Sequence, residues 1–424
     1  MIKLFRKVAR NFRIFKQALG IRCRYRRHMV RLRGKGENEK IRILFIVSDI
    51  AKWKEQSLYE YMERSGTFEP IVGITAWNGQ SETYCPNDRL ESLLSAAELF
   101  FKRLGNRYVR TVKIEGGRRI FSDLSEFVPD IVYYTEPWAP EENQKPEEVS
   151  RFALTCYSPY YVPNYSSLKE ECRLPLHRFL WNYYCLGGWQ AKCYERAYFP
   201  LKEFRASVKF IGTGHPALDY FQLNKDRAPV ANTVIYAPHF SIKGDVPWLH
   251  HYATFRWSGK FMLEYAKSHP EIRWAFKPHP LLKTGIRKAR LMTDEEIDSY
   301  YEEWRKIAVV CEDADYQNLF LDSVAMITDC GSFLSEYGAT RRPVIHLISS
   351  DNTYQPISLL AGLYDTYYKA HDLDGLKAML ASVIERGEDP MRERRIAALM
   401  KTGLTGGSAS ENIVRHLCEI LKRK

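Results

Sequence analysis

Short, uninterrupted apolar runs recur along this chain, each followed by a polar turn and then a stretch of helical pattern. IRILFIVS (Ile41–Ser48) is the first, and PIVGITAW (Pro70–Trp77), Tyr108–Ile114 and VPDIVYYT (Val128–Thr135) follow. FALTCYSPYYVPN (Phe152–Asn164) adds another before an aromatic-rich helix expected over about Leu176–Tyr198, and VKFIGTGHPALDYF (Val208–Phe221) closes the series. A continuous apolar run lacks the alternation of a half-solvated strand, so it reads as a strand buried on both faces of a parallel sheet. Strands alternating with helices define a doubly wound α/β arrangement.

A second series of the same kind begins at TVIYAPHF (Thr233–Phe240). It continues through a helix near Gly259–Ser268, IRWAFKPHP (Ile272–Pro280), an acidic helix near Asp294–Ile307, AVVCED, YQNLFLDS and VAMITD. At 424 residues the chain exceeds one ordinary core. The reading is therefore a basic arm over 1–40, a Rossmann-like domain over 41–223 and a second one over 233–424. The polar stretch NKDRAPVAN (Asn224–Asn232) is the expected linker. Ligands of such sheets bind beyond the carboxyl ends of the strands, in a cleft expected between two facing domains.

Composition excludes several classes. With 45% hydrophobic and 27% charged residues the chain reads as globular, and its apolar runs fall far short of the roughly 20 residues a spanning helix needs. The basic N-terminus lacks the apolar core and cleavage site of a secretory signal, which places the expected protein in the cytoplasm. Nine cysteines without a CxxC pair indicate neither a zinc site nor a disulfide framework. Asn164-Tyr165-Ser166 matches a glycosylation sequon, which carries no meaning in a cytoplasmic protein.

Charge is concentrated at one end. Residues 1–40 hold fourteen Lys and Arg against Glu37 and Glu39, a net +12, which equals the net charge of the whole chain; the remainder is balanced. Within this segment Leu4, Phe5, Val8, Phe12, Phe15 and Leu19 recur at helical spacing between cations. Such a helix suits an anionic membrane surface, and the alternative is a basic helix docked on its own protein or on a polyanion. The balanced body offers no extended basic groove for nucleic acid.

Two strand-ending motifs carry chemistry. KPHP (Lys277–Pro280) puts a cation and an imidazole at a sheet edge, where they can hold a phosphate and offset charge on a leaving group. TDCGS (Thr328–Ser332), with Gly331 at the turn, precedes the helical pattern SFLSEYGA, so backbone amides and a hydroxyl can approach phosphate at a helix N-terminus. Glu336 shares a helix face with Ser332 and can accept ribose hydroxyls. The simpler alternatives are a surface lysine beside a turn, a capping Ser332, a turn-forming Asp329 and a solvated first-turn acid.

FKPHP followed by AMITDCGSFLSEYGATRRPVI resembles the KxHP and TDYSSxxFE...kRPvi pattern of the CDP-glycerol glycerophosphotransferases, the teichoic acid polymerase family. VIYAPHF resembles that family's YAPTF, IGTGHPALDYF its TGxPRxD, and TGGSASENIV (Thr405–Val414) its DGxASERI, in the same order over about residues 150–415. The resemblance implies a GT-B architecture with the nucleotide on the C-terminal domain and the acceptor on the N-terminal one. It implies that His279 contacts the donor pyrophosphate, that Asp329 and Ser332 line its phosphates with Lys277 and Thr328 beside them, and that Glu336 binds ribose. It further implies a CDP-glycerol or similar CDP-polyol donor, a lipid-linked or polysaccharide acceptor, and peripheral attachment at the inner face of the cell membrane. No metal-ligand cluster is visible in the sequence, and the Lys and His cations can replace a divalent ion, so neither metal nor cofactor is expected.

Three departures stand out. The family's His-Gly pair, whose histidine looks like its general base, is absent from CYSPYYV (Cys156–Val162); Tyr-Ser of TDYSS is Cys330-Gly331; and the threonine of YAPTF is His239. Candidate bases at strand ends are Glu136 and His239 first, then Asp49 and Tyr160 on the acceptor side. DCGSFLSEYG also resembles the DSGGxxEE of UDP-sugar 2-epimerases, although Tyr337 follows Glu336 where that motif has tandem acids. A GT-B sugar transferase or epimerase is thus the second reading, and a silent nucleotide-binding subunit of a polysaccharide assembly complex the third.

Overall fold

A computed structural model describes residues 2–76, 87–116, 118–138, 141–162, 174–198, 206–230, 232–243, 251–312, 316–352, 355–404 and 408–423. The sequon at Asn164, Trp77, and the Thr405–Gly407 part of the C-terminal motif lie outside them, as do the side chains of Leu4, Phe5 and Val8. The chain forms two compact units, one from Met1–Tyr161, Ser167–Asp219 and Gly407–Lys424, the other chiefly from Tyr220–Gly406.

Unit 1 holds a seven-stranded sheet, every pairing parallel. Its strands are β1 (Ile41–Val47), β2 (Phe68–Ile74), β3 (Tyr108–Arg110), β6 (Ile131–Tyr134), β7 (Leu154–Tyr157), β8 (Asn182–Cys185) and β9 (Lys209–Gly212), in the order β3-β2-β1-β6-β7-β8-β9; β4 (Val112–Glu115) and β5 (Arg118–Phe121) form a separate antiparallel hairpin. The run Tyr108–Ile114 is therefore two strands serving two sheets. The apolar runs are buried as a parallel sheet requires: in β1 only Arg42 is not fully buried.

The aromatic segment departs from the single helix expected over Leu176–Tyr198. It forms a short helix Pro175–Arg178, then β8, and only then the helix Gly188–Tyr198. All four residues of β8, Asn182-Tyr183-Tyr184-Cys185, are buried, and aromatic side chains fill a doubly covered strand as readily as a helix face.

Unit 2 holds a six-stranded parallel sheet of β10 (Thr233–Ala237), β11 (Arg273–Phe276), β12 (Ala308–Val310), β13 (Ser323–Thr328), β14 (Val344–Leu347) and β15 (Tyr368–Ala370), in the order β12-β11-β10-β13-β14-β15. The acidic helix Asp294–Ile307 starts on a capping box, with the Thr293 hydroxyl on the Glu296 N–H and the Glu296 carboxylate on the Thr293 N–H. Two doubly wound α/β units in one chain are the make-up of the GT-B class.

Three boundaries differ from the sequence reading. The stretch Asn224–Asn232 belongs to unit 2 rather than standing free, tied by Arg227 to Asp322 at 2.6 Å and by the Val230 N–H to the Asp322 carbonyl at 3.2 Å. The last helix, Ala409–Leu421, returns to unit 1 and buries Ile413, Leu417 and Leu421 in its core. The basic arm is one helix, Ile2–Arg33, and from about Ile14 onward it packs on its own unit, with Ala18, Ile21, Tyr25 and Leu32 buried. The Tyr25 hydroxyl donates to the Phe179 carbonyl at 2.7 Å, and Arg31 pairs with Asp130 at 2.8 Å. Of the stripe expected to face a membrane, Phe12 and Leu19 are 56% and 48% exposed. Val30, further along the same helix, is exposed as well.

Candidate functional site

The strand order of unit 2 reverses between β10 and β13, and a crevice beyond the carboxyl ends of strands at such a point is where open α/β sheets bind ligands. Both motifs come to this edge. The Thr328 hydroxyl donates to the Ala237 carbonyl at 2.7 Å and accepts the Cys330 N–H at 2.9 Å, which fixes the two strand ends together.

Asp329 does not present itself to a ligand. Its carboxylate accepts the backbone N–H groups of His239 and Thr254, each at 2.6 Å, and the Thr254 hydroxyl at 2.8 Å, and the residue is 2% exposed. Burial pushes its carboxyl up to about 6, against the pull of these donors. Asp329 therefore ties the His239 loop to the head of the helix Phe255–Ser268. The expectation that it lines phosphates is corrected to a positioning role, which also spares a bound anion a facing negative charge.

The two histidines converge. Their ring centroids are 5.0 Å apart, with Phe240 tilted onto His279 at 4.3 Å. Gly285 allows the next helix to lie against this loop, since a Cβ there would meet the Phe240 carbonyl at 2.2 Å. Burial lowers both imidazoles from their ordinary range: His279 to about 3, helped by the charge of Lys277, and His239 well below 6.5, helped by His279. Both are neutral at pH 7. The Nδ1 of His239 accepts the Ser241 N–H at 3.2 Å and that of His279 accepts the Leu281 N–H at 3.1 Å. In a neutral ring the proton then sits on Nε2. Both rings therefore offer an N–H donor, and His239 would act as a base only after exchanging tautomers at the expense of the Ser241 N–H bond.

Lys277 is 4% exposed, with its ammonium 5.4 Å from the centre of the Tyr316 ring. The Tyr316 hydroxyl donates to Glu336 Oε2 at 2.5 Å, and Glu336 is 3% exposed. The helix Gly331–Gly338 starts without a side-chain cap: Cys330 holds the capping position, and Ser332, half-buried, touches the Cys330 sulfur at 3.4 Å. Ser332 is therefore not the cap considered from sequence, and the uncapped amides of this helix head are available to an anion. The edge combines two neutral N–H donors, one ammonium and a helix N-terminus, with its two acids buried and engaged.

Unit 1 reverses its strand order between β1 and β6, and Asp49, Glu136 and Tyr160 gather there. Glu136 Oε1 accepts the Ser48 N–H at 3.0 Å and the Ser48 hydroxyl at 2.6 Å, while Oε2 accepts the Lys52 ammonium at 2.9 Å and the Trp138 indole N–H at 3.0 Å. These four donors engage both oxygens of Glu136. Asp49 accepts the Ala51 N–H at 2.9 Å and remains solvent-facing, and Tyr160 packs against Trp138 and Tyr161. Of the expected catalytic set, His239 and His279 thus come together in unit 2, while Glu136 stands in unit 1.

Sequence reasoning missed a deeper group in unit 1. Ser158, within the segment where the family histidine is absent, donates to Glu55 Oε1 at 3.1 Å and accepts the Tyr133 hydroxyl at 3.1 Å; Glu55 also accepts the Lys54 N–H at 3.0 Å. Glu55 is fully buried, and burial pushes its carboxyl up to about 8. No motif marks Glu55; only the position of Ser158 at a strand end hinted at it. The segment resembling TGxPRxD also meets the segment resembling DGxASERI here: Asp219 accepts the Ala409 N–H at 2.7 Å and the Ser410 N–H at 2.8 Å at the head of the last helix. These two motifs therefore serve the build of unit 1, rather than the second domain in which the C-terminal one was expected.

Among the described residues no group of three His, Cys, Asp or Glu side chains is placed to hold a metal ion, and no described helix is long and apolar enough to cross a membrane.

The chain matches no protein-family model and no curated protein sequence. Comparison with solved structures places the fold in the GT-B class. The wall teichoic acid polymerase TagF, as its H444N variant, is similar at 12% identity and a TM-score of 0.53, over 100% of this chain and 98% of that one. The same variant with CDPG gives 12% identity and a TM-score of 0.52, over 100% and 98%. UDP-GlcNAc 2-epimerase from Neisseria meningitidis bound to UDP-GlcNAc is similar at 14% identity and a TM-score of 0.52, over 90% of this chain and 100% of that one.

Proposed function

We propose that the protein is a transferase that moves a polyol phosphate, glycerol phosphate first, from a CDP-linked donor to a lipid-linked or growing surface glycan, releasing CMP. The observation that carries this reading is the donor-only edge of unit 2. His239 and His279 offer neutral Nε2–H groups, Lys277 supplies the cation, and Ser332 with the uncapped helix head supplies hydroxyl and amides. That set suits a pyrophosphate. It also suits the charge that builds on the departing CMP when an acceptor hydroxyl attacks the β-phosphorus. Glu336 would take the ribose hydroxyls in exchange for its Tyr316 partner. In unit 1 Glu136 is the candidate to accept the hydroxyl proton, with Asp49 and Tyr160 on the acceptor side. The exposed part of the basic helix would hold the protein at an anionic membrane.

Thermal denaturation with a panel of CDP- and UDP-linked donors tests the site. Stabilisation by a CDP-linked donor, lost in His279→Ala, is expected; no stabilisation by any CDP-linked donor would overturn the assignment. The likeness to a 2-epimerase with UDP-GlcNAc bound keeps a UDP-sugar enzyme as the second reading, and selective stabilisation by UDP-GlcNAc would favour it. Donor binding without turnover under any acceptor would favour a silent subunit.

A further inference from the structure

The opposite edge of the unit 2 sheet carries a second charged pocket. It lies where Leu321 leads into β13 and Pro343 into β14, and has a volume of about 420 Å³. Lys225, Arg227, Arg341, Arg342 and Arg392 line it against two acids, Asp226 and Asp389. Asp389 is already committed, since both its oxygens bind the guanidinium of the fully buried Arg395 and one also accepts the Tyr368 hydroxyl.

Two of these cations, Arg342 and Arg227, are held in place by their side-chain contacts, and Arg392 lies 3.7 Å from Glu393. Arg342 donates to the backbone carbonyls of Phe320, Ser323 and Arg227, which fix its position, and the nearby Asp322 offsets part of its charge. Arg227 pairs with Asp322 and also donates to Asn318 at 3.0 Å. Arg341 sits in the left-handed region at φ 66°, a conformation disfavoured for a long side chain, and its carbonyl accepts from Arg395 at 3.1 Å. Strained backbone of this kind persists where the surrounding structure over-determines it, and it concentrates at binding sites. Arg341 and Arg342 both line the cavity.

We propose that this pocket binds a ligand carrying two or more phosphate groups, at a site separate from the donor edge. Several guanidinium groups match phosphate oxygens in paired hydrogen bonds, and the pocket is large enough for more than one phosphate. The site stands without reference to the CDP reading, and its failure would leave that reading untouched.

The test uses inorganic pyrophosphate with the full-length His279→Ala protein, which weakens binding at the donor edge. Binding is followed by calorimetry and thermal denaturation at low salt, against sodium chloride of matched ionic strength. Pyrophosphate is expected to bind and to raise the melting temperature. The charge reversals Lys225→Glu and Arg392→Glu, both at exposed positions, are expected to weaken binding about tenfold or more. Arg341→Gly relieves the left-handed strain, so its anion-free melting temperature should equal or exceed that of its parent while its pyrophosphate affinity falls. The proposal is overturned if matched sodium chloride reproduces the stabilisation, if the charge reversals leave the affinity unchanged, or if His279→Ala alone abolishes pyrophosphate binding.

Discussion

Glu55 is a fully buried carboxyl held by Ser158 and the Lys54 N–H, and its replacement by glutamine should stabilise the protein. Burial raises its carboxyl from 4.5 to about 8, so between those pH values the native state keeps a proton that the unfolded chain has released. Stability contributed by that proton is fully present below pH 4.5 and is lost as pH rises through 8. Each pH unit of the shift carries about 1.4 kcal/mol, so the loss approaches about 5 kcal/mol by pH 8.5. Glutamine imitates the neutral acid: its carbonyl can accept the Lys54 N–H, and its amide can turn to the Ser158 oxygen. Glu55→Gln should therefore match wild type near pH 5 and melt higher at pH 8.5, by on the order of 10 °C for a unit of this size. Calorimetric melting of both proteins from pH 5 to 9 decides it. Parallel pH profiles, or a variant that melts lower at pH 8.5, would refute the reasoning. A carboxyl kept at a cost to stability is also a candidate for work other than packing.

Two further outcomes follow from the packing. Deleting residues 1–13 should leave the melting temperature almost unchanged and release the protein from anionic vesicles in a flotation assay. Deletion through residue 32 removes Ile21, Tyr25 and Leu32 from the core and should cost about 5 kcal/mol in chemical denaturation; equal stability of the two truncations would contradict the docked helix. Asp219→Ala strips the Ala409 and Ser410 N–H groups of their acceptor and should destabilise unit 1 by about 2–4 kcal/mol in the same assay, whereas a change below 1 kcal/mol would show that the two motifs do not depend on this contact.

Much of the scaffold was legible because its strands are buried on both faces. IRILFIV and SVAMIT each became a central strand, and the acidic pattern near Asp294–Ile307 became a helix with those bounds. The aromatic segment was not legible, since Tyr183 and Tyr184 satisfy a helical or an extended pattern equally until their neighbours β7 and β9 are known. The docking of the arm was hidden for a related reason. Ala18, Ile21, Tyr25 and Leu32 form a second stripe, one that only a partner surface distinguishes from the more conspicuous line through Phe12 and Leu19. At the site, residue types showed where phosphate chemistry would gather, at Lys277, His279 and Ser332. They did not show that Asp329 is spent on two loops or that both imidazoles accept a backbone N–H at Nδ1, because those properties come from the Thr254, Ser241 and Leu281 backbone.

The most direct test of the proposed activity is CMP release from CDP-glycerol by the purified protein in the presence of a lipid-linked glycan acceptor. Acceptor-dependent CMP formation that falls sharply in His279→Ala is the expected result. Release of UDP from a UDP-sugar with no CMP from any CDP-linked donor would contradict it.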